Sequence, residues 1–231
     1  MGWRLEPGPL TGPAPATPAD IDALNRLFSE SFTDRYRRDG LSGMRVPHLN
    51  PQVWRYAIDD AGDGALLWRD EKGHLAAFNM VHRSGAEGWM GPLAVRPDRQ
   101  GHGEGRRIVQ EGIDWLRQQG VATIGLETMP RTAENIGFYS ALGFLPGFLT
   151  VTLVKELEEV RPSDAGRLSR ARDRTAALAG CRALTGRLAP GVDYTREQEL
   201  SERLLLGDTT LVAGAGEVEG FALWHSAPLA E

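Results

Sequence analysis

The stretch that most constrains this chain is Leu93-Ala94-Val95-Arg96-Pro97-Asp98-Arg99-Gln100-Gly101-His102-Gly103-Glu104-Gly105. An apolar run ends in three alternate glycines. From Gly105 onward Ile108, Val109, Gly112, Ile113 and Leu116 recur at helical spacing, and Gly120 ends the run. A strand therefore passes through a glycine turn directly into a helix. Glycine lets backbone approach an anion closely. The first turn of a helix presents N–H groups without intrahelical acceptors, and the positive end of its dipole points the same way. Arg99, Arg106 and Arg107 add charge. The pattern predicts a phosphate-binding turn; the competing reading is a tight turn whose glycines serve packing alone. A P-loop is excluded, because no Gly-Lys-Ser/Thr follows. A dinucleotide-binding βαβ unit is excluded by the helical start of the chain.

Around this segment the elements alternate in an α/β order. A Pro- and Gly-rich start carries a short strand at Trp3–Glu6. Ile21, Leu24, Leu27, Phe28 and Phe32 then form one helical face, with Thr17 and Asp20 as N-caps. A second, short helix falls near 52–58. Residues 65–68 and 74–82 read as a hairpin across the turn Arg69-Asp70-Glu71-Lys72-Gly73, and 89–97 as a third strand. After the glycine-led helix come a strand at 122–128, a helix at 132–142 stopped by Gly143, and an alternating strand at 147–157.

The chain has 231 residues, enough for one or two domains with a true core. A formal net charge of −5 argues against a general nucleic-acid surface. Cys181 is the single cysteine, so no intramolecular disulfide forms, and it has no paired base. No apolar run approaches the ~20 residues of a membrane span, and the first ten residues hold no apolar signal core. A cytoplasmic location without membrane partners is the expectation. His48, His74, His82, His102 and His225 show no metal-ligand spacing, so no metal is expected.

Gln100, Gly103 and Gly105 fill the pattern Gln/Arg-x-x-Gly-x-Gly/Ala, preceded by Leu93-Ala94-Val95-x-Pro97. Downstream, Phe138-Tyr139-Ser140-Ala141-Leu142-Gly143-Phe144 matches FY-x-x-LGF. With these two motifs, residues 1–157 resemble the GNAT N-acetyltransferases. The resemblance implies a GNAT fold, a mixed central sheet flanked by helices. It also implies acetyl-CoA as co-substrate and transfer of the acetyl group to a primary amine, on a small molecule or a peptide, by direct attack. Its alternative is a non-catalytic module that binds CoA or a partner on the same scaffold. In such proteins the fourth and fifth strands splay and the pantetheine arm pairs with the fourth. This assigns Leu93, Ala94 and Val95 to that arm and Gln100, Gly101, His102, Gly103, Glu104, Gly105 and Arg106 to the pyrophosphate. Glu104 departs from the family pattern, since a carboxylate there would repel phosphate. Asn135 stands three residues beyond the family's usual asparagine, at a place Thr132 takes, and is assigned to the arm more loosely. Tyr139 matches the tyrosine that protonates the leaving thiolate. Glu127 lies twelve residues before it, the spacing of the base in the ribosomal-protein and N-terminal acetylators. A solvated strand-end carboxylate is an equal reading of Glu127, and Glu87 is the rival base. Tyr36, Arg37 and Arg38 face either an acceptor or solvent.

The remainder echoes the beginning. Residues 161–173 parallel 17–29, with Pro162 and Asp164 matching Pro18 and Asp20. Residues 216–225 parallel 73–82, with Gly216, Phe221 and His225 matching Gly73, Phe78 and His82; the offsets are 144 and 143 residues. The expected organisation is a GNAT domain at 1–157 and a partial second GNAT-like repeat of helices and a hairpin at 158–231. A half-sheet leaves an open edge and an apolar face. It should pack on the first domain, on a second copy of the chain as a homodimer, or on residues beyond this chain.

Overall fold

The computed structural model describes residues 8–129, 131–151, 153, 165–214 and 217–230. The chain runs β1 (Thr11–Pro15), α1 (Ile21–Arg38), α2 (Pro51–Ala61), β2 (Ala65–Arg69), β3 (Leu75–Ser84), β4 (Glu87–Val95), α3 (Glu104–Gln118), β5 (Thr123–Leu126) and α4 (Ala133–Ser140). These strands form one mixed five-stranded sheet in sequence order. The β1–β4 pairs are antiparallel, and β4 with β5 is parallel.

Both faces of the sheet are covered, so its central strands are apolar on both sides. On one face Ile108, Val109, Ile113 and Leu116 of α3 meet Leu66, Trp68, Val81 and Met90. On the other, Leu24 and Leu27 of α1 and Trp54 and Ile58 of α2 meet Leu67, Phe78 and Met80. Trp54 links two aromatic contacts there, 5.7 Å from Phe28 and 5.5 Å from Phe78, both edge-on. Its indole N–H donates to Asn25 Oδ1 at 2.6 Å, and the Asn25 amide in turn donates to Leu49 O at 2.9 Å. The long α1–α2 connection is thereby stapled to α1. Thr17, one of the two expected N-caps, pairs with Asp20 in a capping box on the 3-10 turn before α1, with Thr17 N donating to Asp20 Oδ2 at 2.9 Å; Asp20 precedes α1 but makes no side-chain cap bond to it.

Three expected elements differ. The expected strand at Trp3–Glu6 lies outside the described residues, and the first strand is Thr11–Pro15 instead. Its sequence, TGPAP, carries no strand signal, and an edge position tolerates its prolines. Among the described residues of the expected 147–157 strand, 147–151 and 153, none is in a strand, and the rest lie outside the described residues. Of the segment 161–173 matched to the start of the first helix, residues 161–164 lie outside the described residues, and the helix begins at Arg174. Before it come β6 (Gly166–Arg167) and a 3-10 turn at Leu168–Arg170. Asp173 sets the start, its side chain accepting from Ala176 N at 2.9 Å.

The second part continues with α5 (Arg174–Leu188), α6 (Thr195–Arg203), β7 (Gly207–Gly214) and β8 (Glu217–His225), and its sheet has the order β6-β7-β8. It packs on the first part. Ala86 N donates to Gly191 O at 2.7 Å. Gly85 makes this approach with φ +66°, where a Cβ would stand 2.2 Å from Gly191 O. Nearby, Arg203 pairs with Asp59 at 3.0 Å, the Ser84 hydroxyl donates to Glu197, and Tyr56 meets the His225 ring at 5.6 Å.

Candidate active site

The site is built around a split in the sheet. Parallel pairing of β4 with β5 runs from Glu87–Thr123 to Met90–Leu126 and stops, while β4 continues to Val95. On its other side β4 carries a bulge, because the register with β3 shifts between Asn79–Leu93 and Val81–Met90. Arg96 N donates to Ala76 O at 2.8 Å, which marks that pair as hydrogen-bonded. Antiparallel pairs alternate, so Ala77–Val95 and Asn79–Leu93 are the non-bonded kind. Leu93 and Val95 therefore turn their N–H and C=O groups away from β3, toward the opening. The Val95 carbonyl shows this directly, accepting from Gln100 Nε2 at 2.7 Å and from Ser31 Oγ at 3.4 Å.

The glycine turn sits at the mouth of this opening. Gly101 and Gly103 have φ of +82° and +85°, and a Cβ on either would meet nothing within 4 Å. Backbone conformation, not packing, requires glycine there, and the turn is open to a ligand. Gly105 differs, since its Cβ would stand 3.6 Å from the Phe138 ring. That is an ordinary contact, and it places the start of α3 beside α4. Gly103 caps α3, so the N–H groups of Glu104, Gly105 and Arg106 open its first turn. His102 is exposed.

The charges around the turn are largely committed. Glu104 folds onto its own helix, 3.2 Å from Arg107 Nε, which answers the repulsion raised by its sequence position. Arg106 reaches the Ala141 carbonyl at 3.5 Å. Arg99 is buried and bonds Gly8 O at 2.5 Å and Glu71 at 2.9 Å, so it belongs to the scaffold and supplies no free charge to a phosphate. Gln100 also accepts from Arg38 Nη1 at 3.1 Å, joining α1, β4 and the turn.

Across the opening stands α4. Tyr139 lies half-buried, edge-on to Phe138 at 5.0 Å and to Phe144 at 6.0 Å. Burial pushes its hydroxyl up to about 12, so it keeps its proton at neutral pH. Asn135 donates to Thr128 Oγ1 at 3.2 Å and ties α4 to the end of β5. Glu127 immediately follows β5, is exposed, and accepts from Thr150 Oγ1 at 3.2 Å. Glu87 begins β4, opposite Thr123 at the closed end of the split, and its carboxylate lies 3.5 Å from Trp89 Nε1. The two glutamates thus stand at opposite ends of the β4–β5 pairing.

One side of the mouth escaped the sequence reading. Asp39, just past α1, pairs with Arg35 at 2.5 Å and accepts from Thr132 Oγ1 at 2.8 Å, while Arg35 also holds Glu134 at 2.8 Å. The Arg35 hydrogen bond, then that of Thr132, holds the Asp39 carboxyl below its usual range. The i,i+4 spacing of Arg35 and Asp39 was readable; their partners on α4 were not. Arg37 and Arg38 both pair with Asp34.

A parallel strand pair that splits beside a glycine-led helix, with the half-buried Tyr139 on the neighbouring α4, defines the candidate cleft. The chain belongs to the acetyltransferase (GNAT) family, whose model matches residues 21–144. The ribosomal protein bS18-alanine N-acetyltransferase of Escherichia coli K12 is 38% identical over 74 residues, 32% of this chain and 50% of that protein. The mycothiol acetyltransferase of Propionibacterium freudenreichii is 27% identical over 129 residues, 54% of this chain and 40% of that protein. The chain thus spans about half the length of the curated relatives it matches. In fold it is similar to a candidate acetyltransferase from Pyrococcus horikoshii, with a TM-score of 0.64 at 18% identity over 97% of this chain and 71% of that one. Among the described residues no helix is long and apolar enough to cross a membrane, and no three His, Cys, Asp or Glu side chains cluster as metal ligands.

Proposed function

We propose that this protein transfers an acetyl group from acetyl-CoA to a primary amine. The observation that carries this reading is the split between β4 and β5, opening beside a glycine turn with open space at Gly101 and Gly103. The residues fit the co-substrate. An open helix N-terminus suits a diphosphate, and unpaired β4 backbone suits a chain of amides. When bound, acetyl-CoA supplies an activated thioester and a thiol leaving group.

The chain's own groups then divide the work. Gly101–Gly105 and the first turn of α3 hold the diphosphate. The Leu93 N–H donates to the carbonyl oxygen as charge builds on it. Glu127, at the open end, takes the amine proton through water; Glu87, at the closed end, is the rival base. Tyr139 faces the sulfur. A proton held at about 12 does not pass unaided to a thiolate of ordinary pKa ~8.5. Tyr139 therefore donates a hydrogen bond to the departing sulfur and passes its proton on as the C–S bond breaks, and the proton that Glu127 took from the amine returns through water to the phenolate.

The acceptor class is a primary amine. The relatives named above are a ribosomal-protein alanine N-acetyltransferase and a mycothiol acetyltransferase, and a rice relative is a serotonin N-acetyltransferase. The second part, 158–231, we read as a partial GNAT-like repeat. In support, strand, 3-10 turn, two helices and two strands follow in the same order as residues 11–84, with the same antiparallel pairing. The test of function is thiol release from acetyl-CoA against a panel of amines and N-terminal alanyl peptides. Acceptor-dependent release supports the reading. Tight CoA binding without release to any acceptor replaces it with a binding module.

A further inference from the structure

Asn79 lies on β3 with no exposed surface, and among the described residues neither Nδ2 nor Oδ1 has a hydrogen-bond partner. A buried, unpaired amide is costly, and an apolar side chain of the same size would be cheaper there. Its position is specific. Asn79 stands directly opposite Leu93, the residue whose amide points into the split, and on the edge of the β4 bulge. The side chain faces α3 at Gly112, where a Cβ would stand 2.7 Å from Asn79 Nδ2 and 2.9 Å from Met90 Sδ. Gly112 thus admits the amide beneath the bulge, beside the Val81–Met90 pair. A bulge frees backbone groups from the ladder, and here the freed groups belong to the residues that aim Leu93.

We propose that Asn79 is a positioning residue for acyl transfer. Its amide engages the freed backbone of the Gly91–Pro92 bulge across one internal water and fixes the direction of the Leu93 N–H. It does not touch the substrate. The inference rests on the acetyl-CoA reading above, and the test separates the two.

The readout is the thioester carbonyl stretch of carbon-13-labelled acetyl-CoA bound to the full chain, with affinity and melting temperature measured alongside. The wild-type protein should bind and lower the carbonyl frequency relative to free acetyl-CoA. Asn79→Leu keeps the volume and removes the amide. It should bind with affinity within about twofold and melt at an equal or higher temperature. Its carbonyl frequency should return toward the free value, and kcat should fall at least about tenfold, since a misaimed group costs rate steeply. Asn79→Thr keeps a hydrogen-bonding group and should restore part of the frequency shift. A wild-type shift left unchanged in Asn79→Leu overturns the proposal while leaving the function intact. So does a parallel loss of melting temperature, affinity and shift in both variants, which makes Asn79 structural only. Failure of the wild-type protein to bind acetyl-CoA overturns the functional reading, and this inference with it.

Discussion

Gln100 Nε2 donates to the Val95 carbonyl at 2.7 Å, closing the end of β4 onto the start of the glycine turn. The same side chain accepts from Arg38 at 3.1 Å, so one residue ties together strand, turn and α1. The side chain of the motif's glutamine is thus committed to the shape of the turn. Gln100→Leu should lower stability by about 1 kcal/mol, as the loss of a hydrogen bond does. It should also weaken acetyl-CoA several-fold through a looser turn. Thermal melts paired with calorimetric titration check both. A variant with normal affinity would free the turn from its glutamine.

Tyr139→Phe removes only the hydroxyl of a half-buried ring, so fold and CoA affinity should persist. Loss of one proton-transferring group costs roughly 10²–10⁴-fold in rate. The expected result is a fall in kcat at unchanged KM for acetyl-CoA. Full turnover in the phenylalanine variant would remove Tyr139 from the chemistry.

Glu127 and Glu87 make opposite predictions because they sit at opposite ends of the β4–β5 pairing. Glu127→Gln should depress the acidic limb of the rate profile with an ammonium acceptor. Glu87→Gln should leave that limb in place. The reverse pattern would move the base to the closed end of the split.

The junction of the two parts should be pH-sensitive. Burial raises the Glu197 carboxyl to about 7, against the pull of its Ser84 hydrogen bond, and burial raises Asp60 to about 6, against Arg196. A carboxyl whose pKa is higher folded than unfolded binds its proton more tightly in the native state. Its stabilisation is full below the unfolded value of ~4.3 and is lost as pH rises through the folded one. The protein should therefore become less stable from about pH 4.5 to beyond pH 7, with acid unfolding from other carboxylates superimposed at the low end. Glu197→Gln should flatten this slope. Melting temperatures of both proteins across the range decide it.

Much of the fold was legible because its signals are local. The stripe Leu24, Leu27, Phe28 and Phe32 gave α1, and the glycine spacing at 101–105 gave the start of α3. What escaped depended on distant partners. The Thr11–Pro15 strand exists only through pairing with β2, and its own residues favour a loop. Arg99 looked like a phosphate ligand until Gly8 and Glu71 claimed it. Asp39 and Thr132 meet across 93 residues, and Asn79 looked like one polar residue within an apolar strand. Each was visible as a residue type; its role needed the neighbours that only packing supplies.

The central claim is that the glycine turn and the split hold acetyl-CoA, and calorimetric titration of the full chain tests it most directly. Wild-type protein should bind acetyl-CoA with one-to-one stoichiometry. Gly103→Glu places bulk and negative charge in open space; its φ of +85° strains the new residue by about 1–2 kcal/mol, which the fold should survive, while affinity falls at least about tenfold. Equal affinity in a folded Gly103→Glu protein, or no binding to the wild-type chain, would contradict the account.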